Sequence, residues 1–549
     1  MAVQIKARGM IVVFALLAAS AIWSRGAWAN PHHSSFDMAP APGVSFAKPM
    51  VDTPTLSCTA SALATDGVAE IASAKISSTK TIPAGADGTP AYCEARGVVE
   101  RDIQFIVYLP ASWNGRIYMH GNGGFAGEAL DAPLGHRARL KAVRLGFAAV
   151  FTNTGHDAAS APDGSWALNN PAREEDFGYR ALTLTVNAAK KIAARYYGVA
   201  PTRSYFDGCS TGGRAGFMSA QRYPADFDGI LVGAPVFDMT TMLWKYWDNQ
   251  QAIAATPLTT DHLQRLAAFI LARYDGVDGL MDGVIADPDA IDFRPARDLP
   301  RQATDPAGFT DAEITALGRI YAPLTVGGQD VFPAMPVGSE PPGQQYSPDT
   351  QSLLPRQSAW VTRVVPDAQG KLGHPGLVAT WFKYMAFEQD RPDLDWHTLD
   401  LSRDFPRSQG AARVMNATDP DVSGFVGRGG KMIIYHGWAD FGVNPRRTIA
   451  YYNEVSRRQD ERSKTALRLY VVPGMFHCEG GLDVDRFDMM TPLIDWVESG
   501  KAPEDMTGAR VDDGKTVRTR PVCAFPRRLK FLGQGDGNDS SQFACVAPP

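Results

Sequence analysis

Cysteine is scarce in this sequence: six in 549 residues. Charge of one sign is scarce too. Lys and Arg number 54 against 59 Asp and Glu, for a formal net charge of −5. No block of basic residues is long enough to hold a polyanion, which excludes nucleic-acid binding as a main role. Beyond residue 23 there is no apolar run of membrane-spanning length. No internal repeat is present, so repeat architectures are excluded. The overall composition is ordinary, which rules out fibrous and disordered classes.

What is present begins at the N-terminus. Lys6 and Arg8 precede an apolar stretch, MIVVFALLAASAIW, at 10–23, and Ala27-Trp28-Ala29 has the small-x-small form of a cleavage site. This is the pattern of a secretory leader over residues 1–29 and not of an anchor. The expected mature chain starts at Asn30 and is periplasmic or secreted, with no membrane association after cleavage. Export implies an oxidising compartment in which cysteines pair. Chain proximity favours Cys58 with Cys93 and Cys523 with Cys545, which leaves Cys209 for Cys478.

From about residue 103 apolar strands alternate with amphipathic helices. IQFIVYL at 103–109, RIYMH at 116–120, GFAAVFT at 146–152, residues 204–207 and GILVG at 229–233 read as strands. Residues 179–197 and 213–223 read as helices, the second stopped by Pro224. Such alternation predicts a parallel sheet covered on both faces. It lapses over roughly 190 residues, 237–425, that are rich in Pro, Asp, Gly and Trp and carry scattered helix signals. It resumes with KMIIYH at 431–436, a helix near 444–457, a strand at 467–472 and a helix at 490–499. The expectation is an α/β catalytic domain formed by 30–236 and 426–549, interrupted by a lid at 237–425. A lid at that point would overhang the carboxyl edge of the sheet. The tail after Lys501 reads as loop-rich, stapled by its disulfide.

DGCSTGGR at 207–214 contains Gly208-x-Ser210-x-Gly212 between a strand and a helix. A nucleophilic serine on such an elbow needs glycines because the turn is sharp, and the next backbone N–H helps to hold an oxyanion. In the α/β-hydrolase order the acid and then the histidine follow the serine. Asp440 stands just past KMIIYH. Of ten histidines only His477 comes later, in GMFHC after the strand at 467–472. His436 is read as packing or hydrogen bonding nearby. Cys209 adjoins the serine and Cys478 the histidine, so a working Ser210–His477 pair brings the two cysteines within bridging reach. The glycine-rich loop after RIYMH is where a hydrolase places its second oxyanion donor.

The combination resembles the tannase and feruloyl esterase family of secreted serine esterases, which includes mono(2-hydroxyethyl) terephthalate hydrolases. The resemblance is carried by HGNGGFAG at 120–127, GCSTGGR, HGWAD at 436–440 and GMFHC at 474–478, in family order. It implies an α/β-hydrolase core with a large lid insertion carrying a calcium loop. It implies Ser210 as nucleophile, His477 as base and Asp440 as orienting acid, with Cys209 and Cys478 bridged. The oxyanion donors would be the N–H groups of Thr211 and of Gly123 or Gly124. The implied substrate is a small aromatic ester: galloyl, feruloyl or another hydroxycinnamoyl ester, with a terephthalate monoester as the alternative. Two rival readings remain at this level: a non-catalytic exported calcium-binding or adhesion protein on the same scaffold, and an amidase or peptidase.

Within the insertion, Asp275, Asp278 and Asp282 are interleaved with glycines, which suits Ca²⁺ more than any softer metal. The spacing is not that of an EF-hand. The resemblance implies side-chain ligation by the three aspartates and carbonyl ligation by Leu280 and Val284, the ion being structural. Many relatives carry a cysteine where Tyr274 stands, so a lid disulfide is absent here. Trp244, Trp247, Trp381, Phe382 and Tyr384 are candidates to stack on a substrate ring, or equally to pack the core of the insertion.

Overall fold

The structure is a computed structural model that describes residues 49–64, 74–159, 163–458 and 465–548. The expected leader over 1–29 lies outside the described residues. A central sheet of nine strands organises the chain: β1 (Ala74–Ile82), β2 (Tyr92–Val99), β3 (Ile103–Pro110), β4 (Arg116–His120), β5 (Ala148–Thr152), β6 (Arg203–Cys209), β7 (Gly229–Gly233), β8 (Lys431–Gly437) and β9 (Leu467–Val472). Their spatial order is β1-β2-β3-β5-β4-β6-β7-β8-β9.

The strands from β5 through β4 to β9 pair in parallel, as the alternation predicted. The other end differs. β1, β2 and β3 form an antiparallel meander, and β3 meets β5 antiparallel. The sheet is therefore mixed, not wholly parallel. β1 (AKISSTKTI) is an edge strand with mostly exposed side chains, so it carries no apolar signal for a sequence reading to find.

Helices cover both faces. α1 (Pro133–Arg144) and α6 (Met490–Ser499) pack on one, and α2 (Ala181–Tyr197), α3 (Thr211–Arg222) and α5 (Pro445–Arg458) on the other. Side chains along β8 alternate between the two cores. Met432 and Ile434 join Val186, Ile192 and Phe217; Ile433 and Tyr435 join Val143, Leu493 and Trp496. This period of two within a continuous apolar run is what a strand buried on both faces requires.

Between β7 and β8 the chain is more helical than its scattered signals suggested. It includes α4 (Met239–Ala255) and further helices at Thr260–Tyr274, Asp311–Tyr321, His374–Tyr384 and Leu401–Ser408. α4 is buried around nearly its whole circumference, so it has no polar stripe by which an amphipathic pattern would be recognised. The tail is likewise not loop-rich. Met506–Asp512 pairs with Lys515–Val522, and Arg528–Phe531 pairs with Phe543–Val546. Most side chains of these strands are half-buried, and two of the strands are only four residues long, which leaves little clean apolar alternation to read. Among the described residues no helix is long and apolar enough to cross a membrane.

Removal of Ile433 beyond its Cβ should be costly, because the side chain is fully buried on an interior strand. Ile433→Ala is expected to destabilise the protein by about 2–5 kcal/mol. Chemical denaturation checks this; a loss below 1 kcal/mol, on the order of an exposed-site change, would contradict the packing described.

Candidate active site

β6 runs directly into Ser210, and α3 begins at Thr211. Ser210 has φ 61° and ψ −123°, a conformation that L-residues avoid and that persists only where the surroundings enforce it. The enforcement is visible: Ser210 N–H donates to Gly233 O at 3.0 Å, and Val236 N–H donates to Ser210 O at 3.0 Å. The flanking glycines are required by contact. A Cβ on Gly208 would lie 2.7 Å from the carbonyl carbon of Gly212, and one on Gly212 would lie 2.8 Å from Asn122 O. The elbow therefore presses against the glycine-rich loop that follows β4.

Asp440 and His477 arrive on the loops after β8 and β9, at the same carboxyl edge. His477 Nε2 lies 2.9 Å from Ser210 Oγ, and His477 Nδ1 lies 2.6 Å from Asp440 Oδ2. The carboxylate accepts, so Nδ1 carries the proton, and Nε2 is left to accept from the serine hydroxyl. All three side chains are buried. Burial by itself would raise the Asp440 carboxyl. Its electrostatic interaction with the His477 ring and the N–H groups of His436 and His477 outweigh burial and hold that carboxyl well below the usual carboxylate range. Val443 N–H also donates to Asp440 Oδ1 at 2.8 Å.

Cys209 and Cys478 are bonded, with Cα atoms 6.0 Å apart across 269 residues of sequence. Chain-entropy reasoning for a loop of that length gives about 5–6 kcal/mol. Cys58–Cys93 and Cys523–Cys545 are also formed, so all three expected pairs are present.

The glycine-rich loop is fastened on several sides. The Thr211 hydroxyl donates to Gly124 O. Asn122 Nδ2 donates to Thr152 O at 2.9 Å, and His156 Nε2 to Phe125 O at 2.8 Å. Gly124 takes φ 57°, the left-handed region. Gly123 N–H donates to Glu128 Oε1 at 3.1 Å. Thr211, Gly123 and Gly124 are thus gathered at one place beside the nucleophile, where the first N–H groups of α3 have no partner within the helix.

The aromatic candidates are placed differently. Trp381 and Phe382 have no exposed surface and belong to an apolar cluster with Trp244, Trp247 and Met385. Phe382 meets Trp244 edge-on at 4.6 Å, and Trp244 Nε1 donates to Ser408 Oγ. Tyr384 is half-buried at the margin of the same cluster. These side chains form the core of the segment between β7 and β8.

The three aspartates of the acidic loop lie near enough to feel one another's charge, but their carboxylate oxygens are not drawn together into one cluster. Asp275 accepts from the N–H groups of Gly283 and Val284, and Asp278 from that of Leu280. Asp282 Oδ2 pairs with Arg520 at 2.8 Å, while its Oδ1 is buried with no partner. Asp278 is pushed up to about 6 by burial, with the charges of Asp282 and Asp275 adding. Asp275 is raised by burial and by Asp282. An oxygen left unpartnered among carboxylates that repel one another suits a hard cation. Arg520 continues to Asp483 at 3.5 Å, and a Cβ on Gly474 would touch both Asp483 and Val284. The loop, remote in sequence, abuts the turn that carries His477.

A sequence model described as tannase and feruloyl esterase matches residues 90–546 of this chain. The chain belongs to that family. It is 33% identical over 534 residues to an uncharacterised esterase of Xanthomonas campestris, covering 87% of this chain and 90% of that protein. It is 31% identical over 533 residues to the mono(2-hydroxyethyl) terephthalate hydrolase of Piscinibacter sakaiensis, covering 85% and 86%. The crystal structure of feruloyl esterase B from Aspergillus oryzae superposes with a TM-score of 0.73 at 25% identity, over 89% of this chain and all of that one.

One member of the site escapes the sequence reading. Glu128 carries no signal, since its role depends on the loop folding back to Gly123. His436 is hydrogen-bonded beside the site, as its place before Asp440 suggests. Glu128 is pushed up to about 7 by burial, partly offset by the Gly123 N–H. The folded state therefore keeps this proton where the unfolded chain, at the ordinary value of 4.5, has released it. The resulting stability is fully present below 4.5 and is lost as pH rises to about 7. Glu128→Gln keeps an acceptor for Gly123 but cannot ionise. Its melting temperature should gain on that of the parent protein between pH 4.5 and 7; parallel melting curves across that range would refute the assignment.

Proposed function

We propose that this protein is an exported serine esterase that hydrolyses aromatic acid esters, galloyl, feruloyl or other hydroxycinnamoyl, through an acyl-enzyme. Family membership makes it a carboxylic ester hydrolase of the tannase and feruloyl esterase type. The observation that carries the mechanism is the hydrogen-bonded chain from Ser210 through His477 to Asp440.

His477 Nε2 takes the proton of Ser210 Oγ as that oxygen attacks the ester carbonyl. The negative charge that develops on the carbonyl oxygen is met by the Thr211 N–H and by a glycine N–H of the 123–124 turn. Asp440 stabilises the imidazolium and fixes its tautomer. The imidazolium then protonates the departing alkoxide. Water, deprotonated by the same nitrogen, attacks the acyl-enzyme; collapse of the second tetrahedral intermediate releases the acid and returns the proton to Ser210. Residues 237–425 form the lid over this edge in our reading. Trp381 and Phe382 pack its core, so contact with the substrate ring falls to other side chains. The apolar leader at 1–29 supports export to the periplasm or beyond.

A terephthalate monoester is the second candidate substrate, because a relative of 31% identity is a mono(2-hydroxyethyl) terephthalate hydrolase. Turnover of methyl gallate, methyl ferulate, a terephthalate monoester, a short aliphatic ester and an aromatic amide separates the possibilities. One aromatic ester should be turned over well above the rest, and Ser210→Ala should abolish that turnover with the fold intact. Turnover by Ser210→Ala near that of the parent would refute the nucleophile assignment, and a preference for the amide would refute the esterase class.

The loop at 275–284 is read as a structural Ca²⁺ site. Asp275, Asp278 and Asp282 would bind by carboxylate, and Leu280 and Val284 by carbonyl. The ion would neutralise three crowded carboxylates and brace the junction of lid, tail and His477 turn. Chelation is expected to lower the melting temperature, with calcium restoring it. An unchanged melt, with no metal in the purified protein, would leave the loop as an acidic turn.

A further inference from the structure

His436, at the end of β8, is wholly buried and lies outside the catalytic triad. Its Nε2 is 3.0 Å from Val443 O and 3.3 Å from Asp440 Oδ2. A carbonyl and a carboxylate can only accept, so Nε2 must carry a proton. Its Nδ1 is 3.0 Å from the hydroxyl of Thr448, a fully buried residue of α5. In the neutral ring that nitrogen accepts, so the threonine hydroxyl donates. The tautomer of His436 is set from behind by α5 and directed forward at the triad acid.

Asp440 Oδ2 accepts from His477 at 2.6 Å and lies 3.3 Å from His436 Nε2, whose single N–H is bonded to Val443 O and faces the carboxylate at longer range, while Oδ1 takes the Val443 N–H. Besides His477, the Val443 N–H holds one oxygen of the carboxylate and the His436 N–H flanks the other. Two cations from the segment between β7 and β8 face this turn, Arg356, which feels the charge of Asp440, and Arg363. A Cβ on Gly442 would lie 3.0 Å from Arg363 Nη2 and 3.2 Å from Asp440 Oδ1. Tyr246 from α4 reaches the same turn, donating to Gly442 O.

We propose that His436 is a positioning residue of the esterase: its Nε2–H holds the Asp440 carboxylate in the rotation that aims Oδ2 at His477 Nδ1. This rests on the serine-esterase reading. A side chain that only fills space could be replaced by any group of similar size. A positioning donor can be replaced only by one that presents an N–H at the same point. Glutamine reaches about as far as Nε2 of histidine, leucine fills volume without a donor, and asparagine offers a donor at the wrong depth.

The test compares His436→Gln, His436→Leu and His436→Asn with the parent protein, Ser210→Ala serving as the blank. Leu and Asn are expected to lower kcat by about 10- to 100-fold with KM little changed, the scale of a small misalignment of reacting groups. Gln should recover to within a few-fold. With its competing donor gone, Asp440 accepts more strongly from His477, so the acid limb of kcat/KM should move to higher pH in Leu and return in Gln. A second readout needs no substrate: the low-field proton resonance of the His477–Asp440 hydrogen bond should shift or vanish in Leu and Asn and return in Gln. Equal behaviour of Gln and Asn, or an unmoved resonance and acid limb in Leu, would overturn the proposal. Lack of Ser210-dependent turnover by the parent would instead sink the esterase reading, with the resonance still deciding the role of His436. Should Leu fail to fold, the Gln–Asn comparison decides alone.

Discussion

The bond between Cys209 and Cys478 joins two turns that 269 residues of chain would otherwise leave free to drift. One turn follows β6 and presents the serine; the other follows β9 and presents the histidine. β7 and β8 lie between β6 and β9 in the sheet, so sheet pairing alone does not hold these loop tips together. Proton transfer from Ser210 Oγ to His477 Nε2 is sensitive to fractions of an ångström. A covalent link one residue away from each partner limits that error more tightly than packing of two mobile loops could.

Around this link the site is built in layers of backbone constraint. Ser210 is held at positive φ by hydrogen bonds from both sides, and Cys478 is also at positive φ, 64°. Strain at Ser210, beside Cys209, and at Cys478 is tolerable because glycines at the elbow admit close approach and the sheet beneath is buried. The acid is restrained separately, by Val443 N–H and His436 on the β8 side. Nucleophile, base and acid thus rest on three loops, each anchored to its own strand.

The acidic loop extends this support outward. Asp282, Arg520 and Asp483 link the segment between β7 and β8, the C-terminal hairpins and the stretch just past His477. Arg518 joins Asp483 at 3.2 Å. These pairs are buried or nearly so, where breaking one partner leaves a charge uncompensated. A cation in the loop would act on the same junction, which gives it a structural bearing on the His477 turn that its position in the chain conceals.

The sequence by itself determined the elements whose chemistry is local. Glycine spacing marked the elbow. Apolar runs marked the interior strands from β3 to β9, because strands buried on both faces cannot be polar. Chain order singled out Asp440 and His477, and cysteine adjacency disclosed the bridge. Only the tertiary structure decided what depends on who packs against whom. β1 is an exposed edge, α4 is buried all round, and the tail strands are mostly half-buried, so none carries a one-sided pattern. The aromatic residues of 381–384 are equally apt for a core or a ligand, and burial alone assigns Trp381 and Phe382 to the core. The hold of Glu128 on Gly123, and of His436 on Asp440, are contacts of single atoms at loop ends. Periodicity records which face of an element is buried; it holds no record of where a loop places one N–H.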